Sequence, residues 1–78
     1  MASKFNADRF GRRMVRVRGS VNMTQAELGK AVGVTQGNIG QMENGMRLNG
    51  VEKLFRICTV LGVPADWLLG LEDMEDEV

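Results

Sequence analysis

Histidine is absent from this 78-residue chain, and cysteine occurs once, as Cys58. Histidine is the commonest general base and a common zinc ligand, so no catalytic residue, metal site or cofactor is predicted. One cysteine cannot form a disulfide within the chain, and nothing favours an exported protein. No stretch approaches the roughly 20 apolar residues of a membrane span, and the N-terminal residues lack the apolar core typical of a signal peptide. We therefore expect a cytoplasmic protein that is not an enzyme, with no membrane partner and no small-molecule ligand.

Charge is unevenly distributed, although acidic and basic residues number ten each. Residues 1–56 contain every basic side chain and only four acidic ones, whereas residues 57–78 contain six acidic side chains and no basic one. A basic body of this kind indicates a nucleic-acid-binding face. A cluster of four arginines in the first predicted helix is interpreted as a solvated face that attracts DNA only at long range: Arg9, Arg12, Arg13 and Arg16.

Helix caps, apolar spacing and glycine stops predict five helices and no sheet. Asn6 caps the first helix, whose apolar stripe is Phe10, Met14 and Val17 and whose end is Gly19. Phe5 and Phe10 have the spacing of a hydrophobic staple. In the second helix, Thr24 and Glu27 form a capping box, and Gly33 provides the stop. Its predicted inward face is Leu28, Ala31 and Val32.

Three shorter segments complete the predicted helices. Thr35 caps the third, which presents Ile39 and Met42 inward and ends at Asn44-Gly45. The fourth runs from about Val51 to Leu61, with one side predicted to comprise Val51, Leu54, Phe55, Cys58 and Leu61. Pro64 fits the first turn of the fifth, which carries Trp67, Leu68 and Leu69 and ends at Gly70.

The connection between the second and third helices is the most informative part of the chain. A tight turn makes two short helices cross at about 90–120°. Gly29 permits their close approach, Gly33 tolerates positive φ, and Val34 fills the angle between them. The ordered set Gln25, Leu28, Gly29, Gly33, Val34, Ile39 and Met42 is a strong signal of a helix-turn-helix.

The segments TQAELGKAVGVTQGNIGQMENG and VLGVPADWLLG resemble the lambdoid phage repressor and Cro family of helix-turn-helix regulators over about residues 10–70. The resemblance implies an all-α, compact five-helix, lambda-repressor-like domain at residues 6–70. Residues 1–5 are then an N-terminal arm and residues 71–78 a disordered acidic tail or linker. It also implies a phage or mobile-element repressor that binds a palindromic double-stranded DNA operator as a homodimer.

Residue roles follow from the resemblance. The recognition helix, about Gln36–Asn44, is expected to enter the major groove and to read bases through Gln36, Gly37 and Gln41. Expected contacts to the DNA backbone come from Gln25, Thr35, Asn38, Asn44 with the amides after it, and Arg47. Gln25 also braces the reading glutamine in similar proteins. Arg18 and Glu43 match an ion pair between the first and third helices, and the dimer contact is expected at Val63, Trp67 and Leu68.

Two alternatives stay open. Gly37 and Gly40 remove side chains from the reading face, which favours either close approach of the helix to DNA or a frayed helix with weaker specificity. An antitoxin-like module that binds a protein partner as well as DNA is the other possible function.

Overall fold

A computed structural model describes residues 4–46 and 50–71, and within these ranges it contains five helices and no strand. The helices are α1 (Ala7–Ser20), α2 (Gln25–Val32), α3 (Gln36–Glu43), α4 (Val51–Leu61) and α5 (Ala65–Leu69). The predicted all-α, five-helix fold is confirmed. The predicted acidic tail lies outside the described residues apart from Leu71, and so does most of the N-terminal arm. No described helix is long and apolar enough to cross a membrane.

The predicted caps begin α1 and α2. Asn6 accepts a hydrogen bond from the backbone N–H of Arg9 at 2.9 Å, and the rings of Phe5 and Phe10 lie 5.7 Å apart. At α2, the hydroxyl of Thr24 accepts from the N–H of Glu27 at 3.0 Å, and the Glu27 carboxylate accepts from the N–H of Thr24 at 2.8 Å. Both helix starts are therefore set by local sequence, since these bonds satisfy amides that have no partner within the helix.

Two helix boundaries, the end of α1 and the start of α5, differ by one residue from those predicted. Gly19 does not end α1, which continues to Ser20; the chain then turns at Asn22, with a φ of 59°. Asparagine tolerates this left-handed conformation better than most residues, so no glycine is needed there. Pro64 precedes α5 as its N-cap residue and is not within its first turn.

The buried faces of α2 and α4 differ from the predicted inward face of α2 and the predicted apolar side of α4. Ala31 is exposed, because α2 turns Leu28, Gly29 and Val32 inward. On α4, Val51 and Phe55 are 83% and 69% exposed, and the buried residues are Ile57 and Leu61. α4 packs against α2 and α5, and its side with Leu54, Ile57, Cys58 and Leu61 contacts the core.

The core joins residues from all five helices. It consists of Phe10, Met14, Leu28, Val32, Ile39, Met42, Ile57, Leu61 and Leu68. Contacts run from α1 to α3 and α5, from α2 to α3 and α4, and between α4 and α5. Since α3 is held by α1 and α2 on one side, its opposite side faces outward.

Candidate nucleic-acid interface

The turn between α2 and α3 has the predicted geometry. Gly33 adopts a left-handed φ of +81°, and the N–H of Val34 donates to the carbonyl of Gly29 at 2.8 Å. A Cβ atom on Gly29 would lie 2.7 Å from the carbonyl oxygen of Val34, a distance that side chains do not tolerate. Glycine at position 29 is therefore a steric requirement of the helix crossing.

The α3 helix is divided into an inward and an outward side. Ile39, Met42 and Glu43 are buried, whereas Gln36, Gly37, Gln41 and Asn44 are exposed. Thr35 begins the helix, and its hydroxyl oxygen accepts from the N–H of Asn38 at 3.0 Å. This bond makes Thr35 the N-cap, although its hydroxyl proton can still be donated to another group. Asn38 is half-buried at the side of the helix.

A charged network fixes α3 against α1 and α2. Arg18 Nε donates to Glu43 Oε2 at 2.6 Å, Arg18 Nη2 donates to Glu43 Oε1 at 3.1 Å, and Arg18 Nη1 donates to the carbonyl of Met23 at 2.8 Å. The predicted partners Arg18 and Glu43 therefore meet as an ion pair between α1 and α3. The hydrogen bonds to Glu43 raise the pKa of Arg18, burial opposes this rise, and the charge of Glu43 adds to it. Glu43 is 8% exposed, so the network holds a carboxylate within the domain.

Gln25 belongs to this network. Its amide Nε2 donates to Glu43 Oε1 at 2.8 Å, and its side chain lies over Gly40, where a Cβ would be 3.6 Å from it. The described contacts join Gln25 to Glu43 and show none with Gln36, the residue it was expected to brace. Its amide has a second N–H, which remains available for a phosphate.

The expected phosphate-binding loop after α3 is only partly supported. The N–H groups of Gly45 and Met46 donate to the carbonyls of Met42 and Gln41, at 3.2 and 2.8 Å. These two amides end the helix and are not available to phosphate, which corrects that part of the prediction. Arg47 lies outside the described residues. Asn44 is exposed at the C-terminal end of α3.

One of the three expected dimer residues is wrong. Leu68 is fully buried in the core of the single chain and has no surface to offer a partner. Val63 and Trp67 are half-buried and pack against that core, so each retains an exposed part.

Two contacts between helices were not predicted from the sequence. Gly11 lies where α1 crosses α3, and a Cβ there would overlap the backbone carbonyl of Glu43. Arg13 lies over the ring of Trp67, 4.8 Å from its centroid, and donates to the Trp67 carbonyl. Its interpretation as a solvated residue is therefore wrong, since it fastens α5 to α1. A glycine within an amphipathic helix was the available signal for the first contact.

No group of three histidine, cysteine or carboxylate side chains that could hold a metal ion occurs among the described residues. The thiol of Cys58 is half-buried, and burial raises its pKa. The outward side of α3 therefore presents the side-chain amides of Gln36 and Gln41 to solvent.

Comparisons with known proteins agree with this geometry. A helix-turn-helix family model matches residues 14–68. The P22 c2 repressor, in complex with a synthetic operator, is 33% identical, with a TM-score of 0.74; the match covers 77% of this chain and 91% of the repressor. The restriction-modification controller C.AhdI from Aeromonas hydrophila shares the fold at 22% identity, with a TM-score of 0.73 and coverage of 80% and 90%.

The fold also occurs within an enzyme. Hydroxypropylphosphonic acid epoxidase from S. wedmorenis is 29% identical, with a TM-score of 0.75, but the match covers 86% of this chain and only 36% of that enzyme. The family match spans more than half of the chain, and the repressor match spans most of both chains. The chain therefore belongs to the Cro/C1-type helix-turn-helix family of DNA-binding transcription regulators.

Proposed function

We propose that the chain recognises a palindromic DNA operator as a homodimer and represses transcription from it, as a regulator of phage or mobile-element genes. The outward side of α3 carries this proposal. Gln36 and Gln41 are exposed there, and their side-chain amides have no hydrogen-bond partner among residues 4–46 and 50–71. A glutamine amide can pair bidentately with N6 and N7 of adenine in the major groove.

The rigidity of α3 supports sequence reading. Its inward residues are buried in the core, and the network of Arg18, Glu43 and Gln25 fixes its C-terminal turn. Side chains on a fixed helix lose less conformational freedom on binding, so their hydrogen bonds discriminate better between bases. The P22 c2 repressor, of similar sequence, was crystallised with an operator, which favours the same mode of recognition for this chain.

The homodimer is proposed through the exposed parts of Val63 and Trp67. A two-fold dimer reads two half-sites about one helical turn of DNA apart, roughly 34–36 Å. The operator is then expected to be an inverted repeat with that spacing.

In vitro selection from a random duplex library tests the proposal. The selected site should be an inverted repeat, and Gln36→Ala should weaken binding to it by about 1–3 kcal/mol with little change on random DNA. Gln25→Ala is the matched control, because it also removes a glutamine amide, but one that is bonded to Glu43. It should weaken binding to the selected site and to random DNA alike. Equal losses for Gln36→Ala on both DNAs would exclude Gln36 as a base-reading residue.

A second candidate function is an antitoxin-like module that also binds a protein. It is favoured by the exposed Phe55 beside a surface cleft of about 400 Å³ between α2 and α4. Phe55→Ser should then abolish binding to the protein encoded by the adjacent gene and leave DNA binding unchanged. If the wild-type chain does not bind that protein, this candidate fails.

A further inference from the structure

Four arginines of α1, defined here as the arginine stripe, lie on one face of the helix: Arg9, Arg12, Arg13 and Arg16. Their spacing of three, four and seven residues brings them onto a single side. Gly11 and Arg18, which contact α3, lie roughly on the opposite side of α1. The stripe therefore faces away from the reading side of the domain.

The middle and far end of the stripe are open to solvent. Arg12 and Arg16 are both exposed, and neither has a hydrogen bond or ion pair with another residue in the described part of the chain. Two guanidinium groups one helical turn apart repel each other, and like charges at this spacing destabilise a helix slightly. An anionic partner at this face would relieve that repulsion.

The end of the described chain lies against the same stripe. Arg13 donates to the carbonyl of Trp67, and a Cβ on Gly70 would overlap the guanidinium of Arg9. The polypeptide therefore leaves α5 beside the N-terminal end of the stripe. The six residues that follow Leu71 contain five carboxylates: Glu72, Asp73, Glu75, Asp76 and Glu77.

The distances allow these carboxylates to meet the exposed arginines. Seven residues of α-helix separate Arg9 from Arg16, a rise of about 10 Å. Six residues of extended chain span up to about 20 Å, so residues 72–77 can reach from Gly70 past Arg16. A segment tethered so close to its target has an effective concentration in the millimolar range or above.

We propose that the acidic segment 72–77 binds the arginine stripe of its own chain, chiefly at Arg12 and Arg16. Carboxylate–guanidinium pairs then neutralise the positive field of α1. Random DNA is attracted to the protein mainly through such fields, so the contact lowers non-specific binding while α3 stays uncovered. The intramolecular contact is independent of the proposed function; only its effect on DNA binding depends on that function.

Nuclear magnetic resonance of the arginine side chains and backbone amides tests the contact. Neutralising the segment (E72Q/D73N/E75Q/D76N/E77Q) should shift the Nε–Hε signals of Arg12 and Arg16 and leave the amides of α3 in place. The shift should disappear at 1 M salt, where the screening length falls to about 3 Å. Glu52→Gln, which removes an exposed carboxylate on α4, is the control and should leave both arginine signals unchanged.

A charge-exchange cycle separates direct pairing from a general field effect. Neutralising the segment should raise affinity for random duplex DNA severalfold in the wild-type chain but not in the R12Q/R16Q background. Reversing both sides, as R12E/R16E with E75K/D76K, should restore the segment-dependent shifts on α1. Equal gains in both backgrounds, or shifts at Gln36 and Gln41 in place of the arginines, would overturn the proposal. A severalfold gain requires DNA binding, whereas the arginine shifts do not, so failure of the proposed function is distinguishable.

Discussion

At position 37, the stability of the fold is expected to favour alanine, whereas DNA binding is expected to favour the natural glycine. It lies on the exposed side of α3, and a Cβ there would meet only the hydroxyl of Thr35, at 3.9 Å. Gly11 and Gly29 differ, because the backbone of a neighbouring segment occupies the space where their Cβ would lie. Nothing in the described fold therefore requires glycine at position 37. We expect that close approach of α3 to DNA does.

Gly37→Ala should therefore raise thermal stability and weaken operator binding. Alanine stabilises a helix by about 0.5–1 kcal/mol relative to glycine, and Gly37, as the second residue of α3, should fall toward the lower value. In a domain of this size, 1 kcal/mol raises Tm by about 4–8 °C, so Gly37→Ala should raise Tm by about 2–8 °C. If the helix backbone lies in van der Waals contact with DNA, the added methyl group should weaken operator binding by tenfold or more, about 1.4 kcal/mol. Gly40→Ala should weaken it less, because the Gln25 side chain already covers that position.

Thermal unfolding and titration of the selected operator on the same preparations give both quantities. Gly29→Ala is the control, and it should lower Tm because its Cβ would lie 2.7 Å from the Val34 carbonyl. A Gly37→Ala variant that melts higher and binds the operator as tightly as wild type would refute close approach. An unchanged or lower Tm would refute the assignment of open space at position 37.

Three further predictions concern stability and reactivity. Arg18→Met should cost about 3–5 kcal/mol in urea unfolding, because it leaves the buried Glu43 carboxylate without its charged partner; a loss below 1 kcal/mol would contradict this. Thr24→Ala should cost about 1 kcal/mol, since the bond from the N–H of Glu27 to the Thr24 hydroxyl is lost, and an unchanged urea midpoint would count against that role. Burial raises the pKa of Cys58, so its alkylation at pH 8 should be slower than that of the unfolded chain, and stability should fall as pH rises above the thiol's unfolded pKa; equal alkylation rates would contradict it.

Local signals account for much of what the sequence predicts correctly. Caps such as Asn6 and Thr24 form hydrogen bonds within three residues, so they act before any tertiary contact exists. Gly33 likewise takes its left-handed conformation from the turn itself. The helix-turn-helix is predictable from sequence because its angle is encoded by neighbouring residues.

The errors arise where a distant segment decides the outcome. Ile57 and Phe55 are both apolar residues of α4, and packing against other helices, α2 and α5 among them, buries Ile57 and leaves Phe55 outside. Gly11 is visible as a glycine within an amphipathic helix, but the carbonyl that requires it belongs to Glu43, 32 positions away, and local sequence does not show that contact. The burial of Leu68 similarly depends on how α5 closes onto α1 and α4.

The division of α3 into two sides has a consequence for how new specificities arise. Ile39, Met42 and Glu43 are the buried residues of this helix, and none of them lies on its outward side. If Gln36, Gly37 and Gln41 read bases as we propose, exchanges at these positions should change the preferred operator and leave the packing of the inward residues in place. Under the same proposal, new promoter preferences should arise through the outward positions, and these three substitutions should transfer the reading surface of a relative onto this scaffold.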